Sequence, residues 1–245
     1  ARTLAEVYRA SERAPDAWPV RPFDGTSPRD AVAWEARGSD RVGSAVIDRY
    51  ALHHAGGLVI PLVHVRRDGA PRGAVVLRVD LEGKIRASDW PAVEAWLDQG
   101  REVVSFDPRG LGETRMRYKA ASIDDPELAP KDEAEAYRSP LSGILANHVY
   151  NAQLTGRPYL FELIDDVGIA ARFARERLGA RSLALDTPGD AALLGRAAAA
   201  CLKDVPLAAA PFASAFSWKQ AVETLREQWP IHYLVPDAAR LLVDE

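Results

Sequence analysis

Three short stretches of this sequence carry residues able to do chemistry. The first is Asp80-Leu81-Glu82-Gly83-Lys84, two carboxylates and an ammonium around a glycine whose neighbours could turn backbone amides toward a ligand. The second, Ser105 to Thr114 (SFDPRGLGET), places Asp107 and Arg109 ahead of two glycines that allow tight turning. Arg109 is suited either to pair with a carboxylate or to contact a ligand. Glu82, Gly83, Lys84, Asp107 and Arg109 are therefore the candidate ligand-binding residues. The third stretch is LALDTPGDAALLGRA, where Thr187, Pro188 and Asp190 have the spacing of a capping box at a helix start. The five histidines, His53, His54, His64, His148 and His232, are not spaced as a metal-ligand set, and no metal or other cofactor is expected. Cys201 is the single cysteine, so an internal disulfide is excluded, and its place on an alanine-rich helix suits a small apolar residue.

The elements that must hold these stretches follow from periodicity and punctuation. Residues 1–45 read as an N-terminal arm with Pro15, Pro19, Pro22 and Pro28, and 46–245 as one domain. YALHHAGGLVIPLVHVRR predicts two strands about Gly56-Gly57, and GAVVLRVDL a buried strand. A helix follows, with Asp89 as its cap and Gly100 as its stop, and then the strand EVVSFD. Residues 115–150 are polar and interrupted by Pro126, Pro130 and Pro140, which predicts an excursion or lid over the carboxyl ends of the strands. A second helix is expected from Asp165 to Leu178, a strand at SLALD, a third helix over about 189–203, and a strand at VPLAAAPF. This rhythm predicts an α/β fold in three layers, with a mostly parallel sheet between helices, and places any ligand beyond the carboxyl ends of the strands.

Charge and hydropathy exclude other classes. The formal net charge of −4, with both signs scattered, leaves no basic stripe for nucleic acid. No run approaches the roughly 18 apolar residues of a spanning helix, so a soluble chain is expected. The sequence starts at Ala1 without methionine, which leaves both a processed signal peptide and a trimmed chain open, and the compartment is not determined, with a bacterial secreted or periplasmic location slightly favoured over the cytoplasm.

The block DWPAVEAWLDQGREVVSFDPRGLGET, together with NAQLTGRPYLFELIDDVGIAARFARERLGA and IHYLVPDAARLL, resembles α/β-hydrolases related to acetyl xylan esterases and prolyl-oligopeptidase-like peptidases. In those proteins an Asp-x-Arg-Gly-x-Gly segment, here Asp107 to Gly112, follows the fourth strand. The resemblance spans about residues 46–245. It implies an esterase-like hydrolase, a carbohydrate ester ligand, and a Gly-x-Ser-x-Gly elbow after the strand SLALD. The elbow departs from the pattern: no serine lies between Ser182 and Ser214, and the nucleophile position falls within Asp186 to Asp190. Two readings stand. The turn is plain helix capping in a degenerate, non-catalytic domain, or Asp186, less readily Thr187, serves as nucleophile. No histidine occupies the family's late position, where it would act as base. In place of the lipase His-Gly-Gly motif stand Asp80 to Lys84, whose carboxylates would oppose an oxyanion unless Lys84 or Arg86 offsets them. Measured against the family, the last strands of the sheet are missing. An edge exposed in that way predicts pairing, either with another copy or with a catalytic partner chain.

Overall fold

The computed structural model describes residues 33–54, 57–117, 132–139, 143–203, 205–209 and 230–235. In chain order the elements are strands β1 (Ala33–Val42), β2 (Ala45–His53), β3 (Val59–Arg67) and β4 (Ala74–Arg78), helix α1 (Trp90–Asp98), strand β5 (Glu102–Phe106), helices α2 (Glu133–Arg138), α3 (Ile144–Leu154) and α4 (Tyr159–Glu176), strand β6 (Ser182–Asp186), helix α5 (Ala191–Cys201) and strand β7 (Ala208–Ala209). The chain divides into two compact units. One holds residues 24–115 and 163–215, and with them the sheet; the other holds 1–23, 116–162 and 216–245.

Seven strands form one sheet in the order β1-β2-β3-β5-β4-β6-β7. The expected mostly parallel sheet is corrected here. The sheet is mixed, and its antiparallel ladders among β1, β2, β3 and β5 carry most of the paired residues. Only β5/β4, β4/β6 and β6/β7 are parallel. The reason is connectivity: short turns can join only antiparallel neighbours, while a parallel pair needs a crossover of helix length, and helical crossovers begin only after β4. Strand β1 also lies within the stretch read as an arm, where its charged, fully exposed pattern hid an edge strand.

Alternate strand residues pack on opposite faces. On one face Val93 and Leu97 of α1 meet Ala45, Val65, Val76 and Val103. On the other, Phe173 of α4 sits 5.0 Å from the Tyr50 ring and 6.4 Å from Trp34. Helix α4 begins six residues before the expected Asp165, because Tyr159, Leu160, Phe161, Leu163 and Ile164 are all fully buried and an all-round apolar run shows no helical period. Helix α3 likewise extends through the end of the expected irregular excursion. Of the strand expected at VPLAAAPF only Ala208–Ala209 is described as strand, and 210–212 lie outside the described residues. Among the described residues no helix is long and apolar enough to cross a membrane.

At the amino end of the parallel strands Glu102, only 2% exposed, accepts from His64 Nε2 at 2.7 Å and from the Gly73 N–H at 3.0 Å. Burial pushes its carboxyl up, but these two hydrogen bonds outweigh burial and hold it below the ordinary glutamate value. The stabilisation is thus present above about pH 4.5 and is lost as pH falls through the depressed value. Glu102→Gln is expected to cost about 2 kcal/mol in urea unfolding at pH 7. The gap from the parent chain should narrow progressively as pH falls below about 4.5; a gap independent of pH would show that the carboxylate is not what holds His64.

Candidate functional site

Beyond the carboxyl end of β5, Asp107 is 1% exposed and joins two loops. Its Oδ1 accepts from the Lys84 N–H at 2.6 Å, and its Oδ2 from Lys84 Nζ at 2.6 Å and from the Glu113 N–H at 3.2 Å. Lys84 Nζ also reaches Glu113 Oε1 at 2.8 Å. A Cβ on Gly112 would lie 2.0 Å from Asp107 Oδ1, and the backbone there has φ +55°, so only glycine lets the second loop close over the carboxylate. Gly83, Lys84 and Asp107 are thus brought together, with the carboxylate turned inward onto protein donors. Glu82 stands apart, 3.7 Å from Arg115. Arg109 points elsewhere: its Nε and Nη2 donate to Asp166 Oδ1 at 3.0 and 2.6 Å, and its N–H to Oδ2 at 2.8 Å. Asp166 is fully buried on α4. It escaped the sequence reading, although an acid within an apolar helix face signals a buried partner.

A second network lies one strand over. Arg78 closes β4, is 5% exposed, and sits in register beside Asp186 of β6. Its Nη1 donates to Asp186 Oδ2 at 2.5 Å and its Nη2 to Asp89 Oδ1 at 3.1 Å. Arg86 donates from Nε to Asp89 Oδ2 and from Nη2 to Asp80 Oδ2, each at 3.1 Å. Asp89 precedes α1 as expected, yet makes no side-chain cap, because its carboxylate is taken by Arg86 and Arg78. Burial would raise Asp89, but the Arg86 side chain and N–H and the charge of Arg78 outweigh it and hold it low. Asp80 is pushed up by burial, which the Glu82 N–H and the two arginines offset only in part. Arg78 was also missed; an arginine inside the buried run GAVVLRVDL was the available signal, since a buried cation requires partners.

The turn after β6 is not the expected capping box. Helix α5 starts at Ala191 with Asp190 as N-cap and no side-chain cap bond. Gly189 has φ +55°, a left-handed step that breaks the helical path and puts the Thr187 side chain out of reach of the first helical amides. Thr187 instead packs against Gly195 of α5, and its buried Oγ1 has no hydrogen-bond partner among the described residues. Open space surrounds the position a Cβ on Gly189 would take. The left-handed backbone step after β6 therefore falls on glycine, which adopts it without strain and has no side chain to react.

No hydrogen bond or ion pair joins a described histidine to Asp186 or Thr187. His64 is paired with Glu102, His53 lies 3.6 Å from Glu35 and His148 3.5 Å from Glu162. His232 is buried in the smaller unit, 6.3 Å from the Tyr159 ring, with neither ring nitrogen hydrogen-bonded among the described residues. Burial, with the Arg138 charge adding to it, pushes His232 down to about 3. Among the described residues no group of three or more acidic, histidine or cysteine side chains could hold a metal ion.

No family model and no curated protein matches this sequence. Solved structures do. An acetyl xylan esterase from Paenibacillus sp. R4 superposes with a TM-score of 0.55 at 17% identity, over 92% of this chain and 63% of that one. A proposed acetyl xylan esterase from Bacteroides fragilis NCTC 9343 superposes with a TM-score of 0.54 at 10% identity, over 82% of this chain and 50% of that one. This chain thus spans between half and two thirds of the length of these proteins. The likeness is one of fold, and the α/β-hydrolase fold implied by the sequence resemblance is the fold of this chain.

Asp186→Asn is expected to lower stability by about 2 kcal/mol. Combining it with Arg78→Met should cost less than the sum of the two single changes, because both members of the buried pair leave together. Strict additivity in urea titrations would refute the pairing. For His232 the unfolded chain takes up a proton near pH 6.5 while the folded chain does not until about 3. Stability is therefore full above pH 6.5 and declines from there toward 3, and His232→Phe should flatten that slope between pH 6 and 4.5, above the range in which Glu102 titrates.

Proposed function

We propose that this chain is an α/β-hydrolase-fold domain that does not hydrolyse esters by itself and serves a carbohydrate-esterase-like hydrolase as a partner or ligand-binding domain. The observation that carries this reading is the turn after β6. Its positive-φ position is Gly189, which offers no nucleophile. The alternatives that precede that position are engaged elsewhere, Asp186 with Arg78 and Thr187 against α5. A carboxylate clamped by a buried guanidinium is a weakened nucleophile, since attack would have to break the ion pair and leave the arginine unpaired. The loop that would face a developing oxyanion supports the same reading. Lys84 and Arg86, the two cations able to offset its carboxylates, are already bound to Asp107 and to Asp80 and Asp89.

The partner is either a second copy or a catalytic chain, and the ligand class suggested by the structural neighbours is an acetylated carbohydrate. The decisive assay is hydrolysis of an aryl acetate and of acetylated xylan by the purified chain, where release of acetate at the buffer rate is expected. Turnover well above that rate would reject the proposal, and its abolition by Asp186→Asn would assign the chemistry to that carboxylate.

A further inference from the structure

Helix α1 packs on one face of the sheet through Val93 and Leu97. Beside the start of that helix an apolar groove of about 480 Å³ is walled by Ile47, Val63, Val65, Ile85 and Trp90, with Arg86 at its side. Its volume falls in the range of roughly 300–1,000 Å³ typical of small-molecule sites. None of the residues that line the groove belongs to the turn after β6.

We propose that this groove binds a small uncharged amphipathic molecule, an alkyl chain ending in a carbonyl acceptor. The walls select the chain, because five apolar side chains present no polar group to it. Arg86 selects the head. Its Nε and Nη2 are held by Asp89 and Asp80, while Nη1 has no partner among the described residues and the side chain is 45% exposed. Two carboxylates thus fix a guanidinium with one donor left over, which is a pre-organised hydrogen-bond site at the side of an apolar trough.

The charge around that donor argues for a neutral head. Arg78 and Arg86 face three carboxylates, Asp80, Asp89 and Asp186, so an anionic head would add to an excess of negative charge. A cationic head would meet Arg86 itself. An extended peptide fits poorly, because each of its residues brings an N–H and a carbonyl that these walls leave without partners. A ketone or ester carbonyl needs the single donor that the groove offers.

The site would fill whether or not the chain turns over esters, so a failed binding test leaves the acetate assay untouched, and turnover in that assay leaves the groove untouched. Calorimetric titration of the full chain with methyl nonyl ketone, which cannot be hydrolysed, is expected to show saturable binding, with decanoate and decylammonium at least about tenfold weaker. Ala87→Trp, at an exposed position on the groove wall, should abolish the binding while leaving the unfolding midpoint unchanged. Arg86→Lys, which keeps the charge and removes the spare donor, should weaken the ketone about tenfold. The proposal is overturned if the ketone does not saturate, if decanoate binds as tightly, or if Ala87→Trp leaves affinity intact. It is equally overturned if the ligand-free chain sediments as a dimer that Ala87→Trp dissociates, which would assign the groove to a second copy.

Discussion

Burial of the Arg78 guanidinium at the end of β4 is the constraint on which the candidate site depends. A buried cation is tolerated only with carboxylates around it, and this one draws Asp186 from the neighbouring strand and Asp89 from the start of α1. Asp89 in turn binds Arg86, and Arg86 binds Asp80. One charge inside the sheet thereby sets the side-chain positions of three chain segments. It also engages Asp186, the carboxylate that the sequence offered as a candidate nucleophile.

The same economy governs the neighbouring loops. Asp107, at the end of β5, satisfies its lone pairs with donors from the loop after β4 and from its own turn, and the close approach of Gly112 leaves no room for a side chain. Arg109 is anchored to a fully buried carboxylate on α4. Each charged residue of the Asp-x-Arg-Gly-x-Gly segment is therefore turned inward, toward the frame that holds the strand ends. The frame of the α/β-hydrolase fold is kept, and the polar groups at its strand ends are directed to one another.

Much of this was legible in the residue order. Capping and stop signals located α1, β5 and β6 closely, and two separate turns supplied Asp107, Gly83 and Lys84 as candidates together with Glu82 and Arg109, which the fold directs elsewhere. Strand direction was less legible, since an apolar run bounded by glycines reads alike in parallel and antiparallel sheets. Helix α4 was shortened in the reading because its first residues are apolar on all sides.

The turn after β6 separates the two kinds of information most clearly. The sequence by itself determined that no serine stands there and that Thr187, Pro188, Gly189 and Asp190 follow the strand, because residue identity settles which functional groups exist. Only the tertiary structure decided that Gly189 takes the left-handed step, that Thr187 turns toward α5 and that Asp186 is spent on Arg78. Side-chain partnerships of that kind join residues 108 positions apart, as Arg78 and Asp186 are. They arise from strand register and burial, which local spacing does not encode.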